Sequence, residues 1–255
     1  MGLEKKRPKE FRDLPPFPKE QLQEKYTGGD IVIQACADDE QVAFHAVRNL
    51  VRKARNTVTM KWSQSGFAAI GDRMSTPRNL FGFKDGTANV TKEKDFDKVI
   101  WTDSDDWMKG GTYMAVRRIQ MFLETWDRTN LQEQENTFGR YKESGAPFGK
   151  EDEFDEVDLD LLPVDSHVRL AKEVNKPIYR RSYSYSDGIV DKTGQFDTGL
   201  LFLAFQKNPD SFVKVQTNLG AQDKMNEYVT HIGSGLFACF AGVKKGEYLG
   251  QKLFE

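Results

Sequence analysis

The chain has 255 residues, with 37 basic and 39 acidic side chains and a formal net charge of −2 at pH 7. This length can bury a substantial core in one large domain or two small ones. The charges are interspersed and nearly balanced, so nucleic acid is not an expected partner. No apolar run approaches the roughly 18 residues that a membrane-spanning helix needs, so no membrane span is expected.

The beginning of the chain has the pattern of a polar lead followed by one strand–helix–strand unit. Residues 1–28 contain several prolines and are expected to be extended or looped. Residues 29–36 are rich in β-branched side chains and predict a strand, and residues 57–62 predict a returning strand. Between them, a helix is expected after the caps Asp38 and Asp39, because apolar residues recur at helical spacing: Ala43, Val47, Leu50, Val51 and Ala54.

Three residues of the chain could be mistaken for functional ones. His45 falls on the polar face of the predicted helix and is expected to point into solvent, with no metal role. Cys36 and Cys239 lie in apolar runs and are interpreted as small buried hydrophobic residues. A disulfide between them is neither required nor excluded.

The remainder of the chain alternates strand and helix patterns. Residues 151–160 are strongly acidic, and such runs are usually solvated loops; weak attraction of ferrous ions is the alternative. The expected strands are residues 112–121, 199–206 and 236–241, and the expected helical segments are residues 122–126, 131–141, 210–217 and 223–229.

His167 is one of only three histidines and lies among small and apolar residues. Taken alone, such an imidazole is more often a hydrogen-bonded core side chain than a ligand. Further along, Arg180 and Arg181 stand between Ile178 and Tyr183, and a guanidinium in an apolar run requires an anionic partner. A neutral imidazole that can bind a metal, with a cation nearby, is the minimum requirement of a haem enzyme.

A second stretch, residues 79–90, places Gly82 and Gly86 around Asp85 in a GxxDG pattern. Aspartate followed by glycine is also a common turn signature, so the pattern alone does not establish a catalytic residue.

Together, the GxxDG pattern, the Ser-His-Val-Arg-Leu-Ala segment and the double arginine closely resemble the dye-decolourising (DyP-type) haem peroxidases. Within that family the chain is most similar to the branch that accompanies bacterial iron-uptake systems. Residues 110–119 and 197–206 also look like family segments, so the resemblance covers nearly the whole chain.

The resemblance implies an α+β fold of two ferredoxin-like domains, of the dimeric α+β barrel type. Residues 1–94 would form a partial N-terminal domain that carries the GxxDG loop, and residues 95–255 a complete haem-binding domain. About half of the first domain is then absent. Our hypothesis at this point is a fragment, a split reading frame or a truncated relative.

The resemblance also assigns roles around a haem b. His167 would be the axial ligand of the iron, while Asp85 and Arg180 would face it from the distal side, with Arg181 as second choice. Arg180 would also contact the haem, and Gly86, Thr87 and Ala88 would run against its edge. His231 matches no motif and is interpreted as structural. The acceptor for the other imidazole nitrogen of an axial histidine is guessed to be Asp197 or Asp210.

Some aromatic residues have two interpretations. Phe202 and Phe205 could enclose the haem, although core packing is simpler. Trp126, Tyr183 and Tyr185 could relay electrons to the surface, although rings at these spacings usually only pack.

The implied function is a haem b peroxidase that reduces hydrogen peroxide and oxidises an aromatic dye or ferrous iron, with components of an iron-uptake system as candidate partners. The alternatives are a haem-binding, iron-releasing protein with little peroxidase turnover, and an inactive fragment. Members of the resembled branch are exported by the twin-arginine route. This chain opens without an apolar signal segment, so its compartment and its oligomeric state are left open.

Overall fold

A computed structural model describes residues 3–68 and 76–255. None of the helices in these ranges combines the length and the apolar character needed to cross a bilayer. The helices are α1 (Glu40–Ala54), α2 (Glu93–Val99), α3 (Leu123–Trp126), α4 (Leu131–Phe138), α5 (His167–Glu173), α6 (Pro209–Gln222) and α7 (Gln251–Phe254). The strands are β1 (Thr112–Met121), β2 (Tyr179–Arg180), β3 (Tyr183–Val190), β4 (Gln195–Gln206) and β5 (Val229–Cys239).

The five strands form one antiparallel sheet with β1 at its centre, between β4 and β5. Strands β2 and β3 both pair with β4 in a continuous register, since Arg180 lies opposite Ala204 and Tyr183 opposite Leu201. They therefore form a single edge, interrupted at residues 181–182. The predicted α+β class is confirmed, with an antiparallel sheet as its framework.

The sheet is buried on both faces at β1. Side chains alternate between the faces of a strand, so Ala115 packs on one side with Phe17 and Phe212, while Met114 and Val116 pack on the other. A side chain the size of valine, methionine or phenylalanine contributes about 1.5–3 kcal/mol when it is fully buried. The apolar pattern that predicted a strand at residues 112–121 therefore reflects a strand enclosed on both faces.

Several element boundaries differ from the predicted ones. Strand β5 begins at Val229 rather than at residue 236, and residues 223–229 form only a short 3-10 helix, Lys224–Glu227. Helix α4 ends at Phe138 because Gly139 adopts a left-handed φ of 82°. Strand β3 was not predicted, since its exposed outer half carries polar residues and glycine.

The two strands predicted near the beginning of the chain, residues 29–36 and 57–62, are wrong. Neither segment has regular secondary structure or a strand partner in the described ranges. A β-strand is defined by hydrogen bonds to a neighbour, so β-branched composition alone is not sufficient. Apolar residues expected in a core are consequently at the surface, with Ile31 64% and Met60 56% exposed.

Helix α1 is confirmed where it was predicted. Asp39 caps it, with its carboxylate accepting hydrogen bonds from the backbone N–H of Gln41 at 2.7 Å and of Val42 at 3.3 Å. None of its residues is buried, and His45 is exposed as expected.

The two cysteines are both free. Cys36 was expected to be buried but is exposed, because the strand that would have enclosed it does not form. Its Sγ lies 3.2 Å from the hydroxyl of Tyr183. Cys239 is partly buried at the end of β5, and burial raises the pKa of its thiol to about 11.

A buried arginine joins the polar lead to the centre of the sheet. Arg117 on β1 is 1% exposed and donates to Ser234 Oγ at 2.7 Å and to His231 Nδ1 at 3.1 Å. It also forms an ion pair with Glu20. Burial, and then the charge of Arg117, lower the pKa of His231 to about 3. His231 is therefore a neutral acceptor within this network, in agreement with its structural interpretation.

This environment predicts a specific pH dependence of stability. The folded chain keeps His231 neutral, whereas the unfolded chain binds a proton near the ordinary value of 6.5. The stability that His231 contributes is complete above that value and is lost as the pH falls towards the folded pKa. Between pH 7.5 and 5.0, urea unfolding should show a loss on the order of 2 kcal/mol that His231→Asn lacks.

Asparagine keeps an acceptor near the position of Nδ1 but does not titrate. The matched control is His45→Asn on the exposed face of α1, which should follow the unsubstituted chain at both pH values. An identical loss in the His231→Asn chain would contradict the assignment.

Candidate active site

The GxxDG segment folds as a small hairpin-like loop. Its ends are joined by hydrogen bonds from Asp85 N to Pro77 O at 2.8 Å and from Asn79 N to Phe83 O at 2.9 Å. Gly82 and Gly86 have φ values of 83° and 125°, which other residues rarely adopt. The two glycines of the motif are thus required by the backbone that presents Asp85.

The apolar residues of the loop fix it against the rest of the protein. Phe81 and Phe83 belong to a buried cluster with Trp126 and Phe138. The rings of Phe83 and Phe138 stack with centroids 3.9 Å apart, and the Phe138 ring lies 6.4 Å from that of His167. One aromatic cluster therefore supports both the loop and the first residue of α5.

Arg180, not Arg181, is the arginine that meets Asp85. Arg180 Nη1 donates to Asp85 Oδ1 at 2.9 Å, and both side chains are partly buried. Arg181 is exposed and donates to the hydroxyl of Tyr183 at 3.3 Å. The anionic partner that the sequence required for this arginine pair is therefore the carboxylate of the GxxDG loop.

Asn89, which sequence reasoning missed, joins the loop to the sheet edge. Its Nδ2 donates to Arg180 O at 2.8 Å, and its Oδ1 accepts from Arg180 N at 2.9 Å. These two backbone groups face away from β4. The backbone N–H of the next residue, Arg181, points towards β4 instead and donates to Leu203 O. The side-chain amide thus satisfies the groups that a further strand would have paired.

His167 begins α5 and is held by a carboxylate. Its Nδ1 lies 2.6 Å from Oδ2 of Asp223, which is 3% exposed, at the end of α6. Burial acts to lower the pKa of His167, but the charge and hydrogen bond of Asp223 outweigh it, so the pKa is raised. The charges of Arg180 and Asp85 also reach the ring, the first lowering and the second raising its pKa.

The guessed acceptors for this ring, Asp197 and Asp210, were both wrong. Asp197 lies 3.6 Å from the guanidinium of Arg118, and Asp210 is in the first turn of α6. Asp223 carried no local signal for this role. Its other carboxylate oxygen, Oδ1, accepts from Met225 N, so Asp223 also caps the short 3-10 helix Lys224–Glu227.

A small hollow opens beside the Asp85–Arg180 pair. Its volume is about 40 Å³, enough for a molecule of the size of hydrogen peroxide or for one or two waters. Gly86 lines it, together with Phe67, Arg78, Ser182 and Ser184 among others, and His167 does not. A larger cleft of about 450 Å³ lies elsewhere and is lined by none of the predicted site residues.

The other residues singled out from the sequence have other contacts. Thr87 directs its hydroxyl to Glu153 at 2.7 Å, and Ala88 is exposed. Core packing accounts for the aromatic residues: Trp126 in the cluster under the loop, Phe202 against Phe212, Phe205 and Tyr183 in the core cluster of Met114, and Tyr185 stacked on Arg118.

The donor set fits the haem that the family resemblance implies. A third of the His167 side chain is exposed although its partner Asp223 is buried, and Nε2 has no hydrogen-bond partner in the part of the chain that the structure describes. An imidazole whose Nδ1 is fixed by a carboxylate presents Nε2 to a metal. Across residues 3–68 and 76–255, no group of three or more His, Cys, Asp or Glu side chains is placed to hold a bare metal ion.

Comparison with known proteins gives consistent matches along the chain. The C-terminal model of the Dyp-type peroxidases matches residues 76–244, and the N-terminal model matches residues 1–68. The chain is 38% identical to the deferrochelatases of Shigella flexneri and of Escherichia coli strain K12, covering 65% and 64% of those proteins and 99% or more of itself. It thus spans just under two thirds of the length of these curated relatives.

Solved structures of DyP-type peroxidases match the chain as well. A DyP-type peroxidase from Cellulomonas bogoriensis superposes with a TM-score of 0.94 at 35% identity, covering 100% of this chain and 74% of its own. Ferric DtpA from Streptomyces lividans superposes with a TM-score of 0.92 at 36% identity, covering 99% and 74%. Since the C-terminal model alone accounts for most of the chain and these structures match essentially all of it, the chain belongs to the DyP-type peroxidase family.

Proposed function

We propose that this chain is a haem b-dependent peroxidase that reduces hydrogen peroxide and takes electrons from an aromatic dye or from ferrous iron. One observation carries the proposal. The Asp85–Arg180 pair borders a peroxide-sized hollow, while His167, fixed by Asp223, lies outside that hollow and has no partner for Nε2 among the described residues. Membership of the family implies haem as the cofactor. His167 would hold it through Nε2, and the backbone of Gly86 would approach it closely.

Bound haem would supply the iron at which the oxygen–oxygen bond of peroxide is cleaved and would store the oxidising equivalents. The chain's own residues would move the proton and stabilise the charge. Asp85 would accept a proton from one peroxide oxygen and return it to the other, as a general acid–base. Arg180 would stabilise negative charge on the departing oxygen, because its guanidinium stays protonated.

The size of the hollow separates the two substrates. A hollow of about 40 Å³ is of the size of peroxide and is smaller than an aromatic dye. A bulky reductant would therefore deliver its electrons from outside this hollow, so substitutions at Asp85 or Arg180 should act on the peroxide step.

A second candidate is a haem-binding protein that releases iron from haem with little peroxidase turnover. The observation that favours it is the name deferrochelatase, carried by curated relatives at 38% identity. Incubation with haemin separates the two functions. Iron release leaves metal-free porphyrin, identified by its fluorescence, whereas a peroxidase returns the haem intact after oxidising the reductant.

Haem binding is expected to depend on one imidazole. Titration of the purified chain with haemin should give a Soret band with a saturable end point, and His167→Ala should weaken binding at least about tenfold by removing the proposed protein ligand of the iron. His45→Ala is the matched control and should bind as the unsubstituted chain does. Equal haemin affinity in all three proteins would rule out His167 as the ligand.

The distal pair is expected to act mainly on the reaction with peroxide. Asp85→Asn and Arg180→Leu should each lower the rate of the peroxide reaction by about 10²- to 10³-fold, measured by stopped-flow absorbance of the haemin-loaded chain. Arg181→Leu, the neighbour with no contact to Asp85, should stay within about threefold of the unsubstituted rate. A larger loss in Arg181→Leu than in Arg180→Leu would reverse the assignment.

A further inference from the structure

The backbone around Asp85 is held by one carboxylate from a distant segment. Glu153 Oε2 accepts from Lys84 Nζ at 2.6 Å, and its Oε1 accepts from Thr87 Oγ1 at 2.7 Å. Lys84 precedes Asp85 directly, and Thr87 follows two residues later. The two oxygens of Glu153 therefore bind the loop on either side of the proposed acid–base.

Glu153 is itself fixed in place. It is 7% exposed, and its carbonyl accepts a hydrogen bond from Arg140 Nη1 at 2.8 Å. The same Nη1 donates to Gly145 O at 2.6 Å, and Arg140 is 8% exposed. Burial acts to raise the pKa of Glu153, but the hydrogen bonds from Lys84, Thr76 and Thr87 lower it overall.

This position corrects the expectation for the acidic stretch at residues 151–160. A solvated loop was expected there, and its neighbours Glu151 and Asp152 are indeed exposed. Glu153 differs because it points inward to a lysine and a threonine of the GxxDG loop. It contributes specific contacts to that loop and not merely surface charge.

The loop needs such a support at Asp85. Gly86 follows directly with a φ of 125°, and glycine restricts the backbone less than any other residue. Beyond it, Asn89 fixes the loop to the backbone of Arg180. Between the hairpin base and Asn89, the side-chain contacts of Glu153 span Asp85.

We propose that Glu153 is a positioning residue that holds the loop on both sides of Asp85 and thereby fixes the Asp85 carboxylate against Arg180. The catalytic consequence rests on the proposed function. The anchoring itself does not, because it concerns contacts within the protein alone.

The anchoring is tested on the full chain without haemin, by hydrogen–deuterium exchange. Glu153→Gln keeps the shape and an acceptor for Thr87, but it turns an amide donor towards the Lys84 ammonium. Exchange of peptides covering residues 79–89 should accelerate about tenfold, while peptides from β1 and β4 stay unchanged. Glu151→Gln, which removes an exposed charge from the same acidic stretch, should leave the loop as it is.

A second variant keeps the hypothesis testable if Glu153→Gln misfolds. Thr87→Val removes only the hydroxyl contact and should accelerate exchange of the loop in the same direction, by a smaller factor. Loop exchange unchanged in both variants, or an equal acceleration in Glu151→Gln, overturns the proposal.

The haemin-loaded chain provides the second readout. In Glu153→Gln the peroxide rate should fall roughly ten- to a hundredfold, since a misplacement of about 1 Å can cost that much, while haemin affinity stays within twofold. A rate and affinity that fall together would indicate a merely structural role and overturn the positioning role. Accelerated exchange in a chain that binds no haemin would support the anchoring while refuting the proposed function.

Discussion

The arrangement of this site depends on how the GxxDG loop is attached to the edge of the sheet. Asp85 and Arg180 are far apart in sequence and meet because the amide of Asn89 bonds both backbone groups of Arg180 that face away from β4. An exposed strand edge presents unpaired donors and acceptors that a neighbour can occupy. Here a single side chain occupies them, so the sheet determines where the carboxylate of the loop lies.

Two partly buried histidines show how neighbouring charges set the pKa of the same kind of side chain. His167 lies against the carboxylate of Asp223, which raises its pKa, whereas His231 accepts from the guanidinium of Arg117 and stays neutral. In His231 the acceptor nitrogen is used within the core. In His167 the Nδ1 bond to Asp223 leaves the opposite nitrogen for an external group.

The sequence predicted those parts of the structure that local patterns encode. Strand β1 follows from the apolar residues 113–116 in its first half, α1 from its cap and spacing, and the meeting of Asp85 with Arg180 from the family motifs. The sequence could not reveal which segments pair with one another in the sheet. Residues 29–36 therefore have the composition of a strand but do not form one. Asp223 was missed because its partner is distant in the chain. Glu153 was missed because it stands in a run of acidic residues whose other members Glu151 and Asp152 are exposed.

Helix α1 is expected to be less stable than the sheet. It has 15 residues and buries none of them, and isolated helices of this length are marginal in water because packing usually supplies most of their stability. The sheet that carries Arg180, by contrast, is enclosed on both faces at β1. Fraying of α1 would therefore leave the contact between Asp85 and Arg180 intact, and α1 is expected to melt before the sheet does.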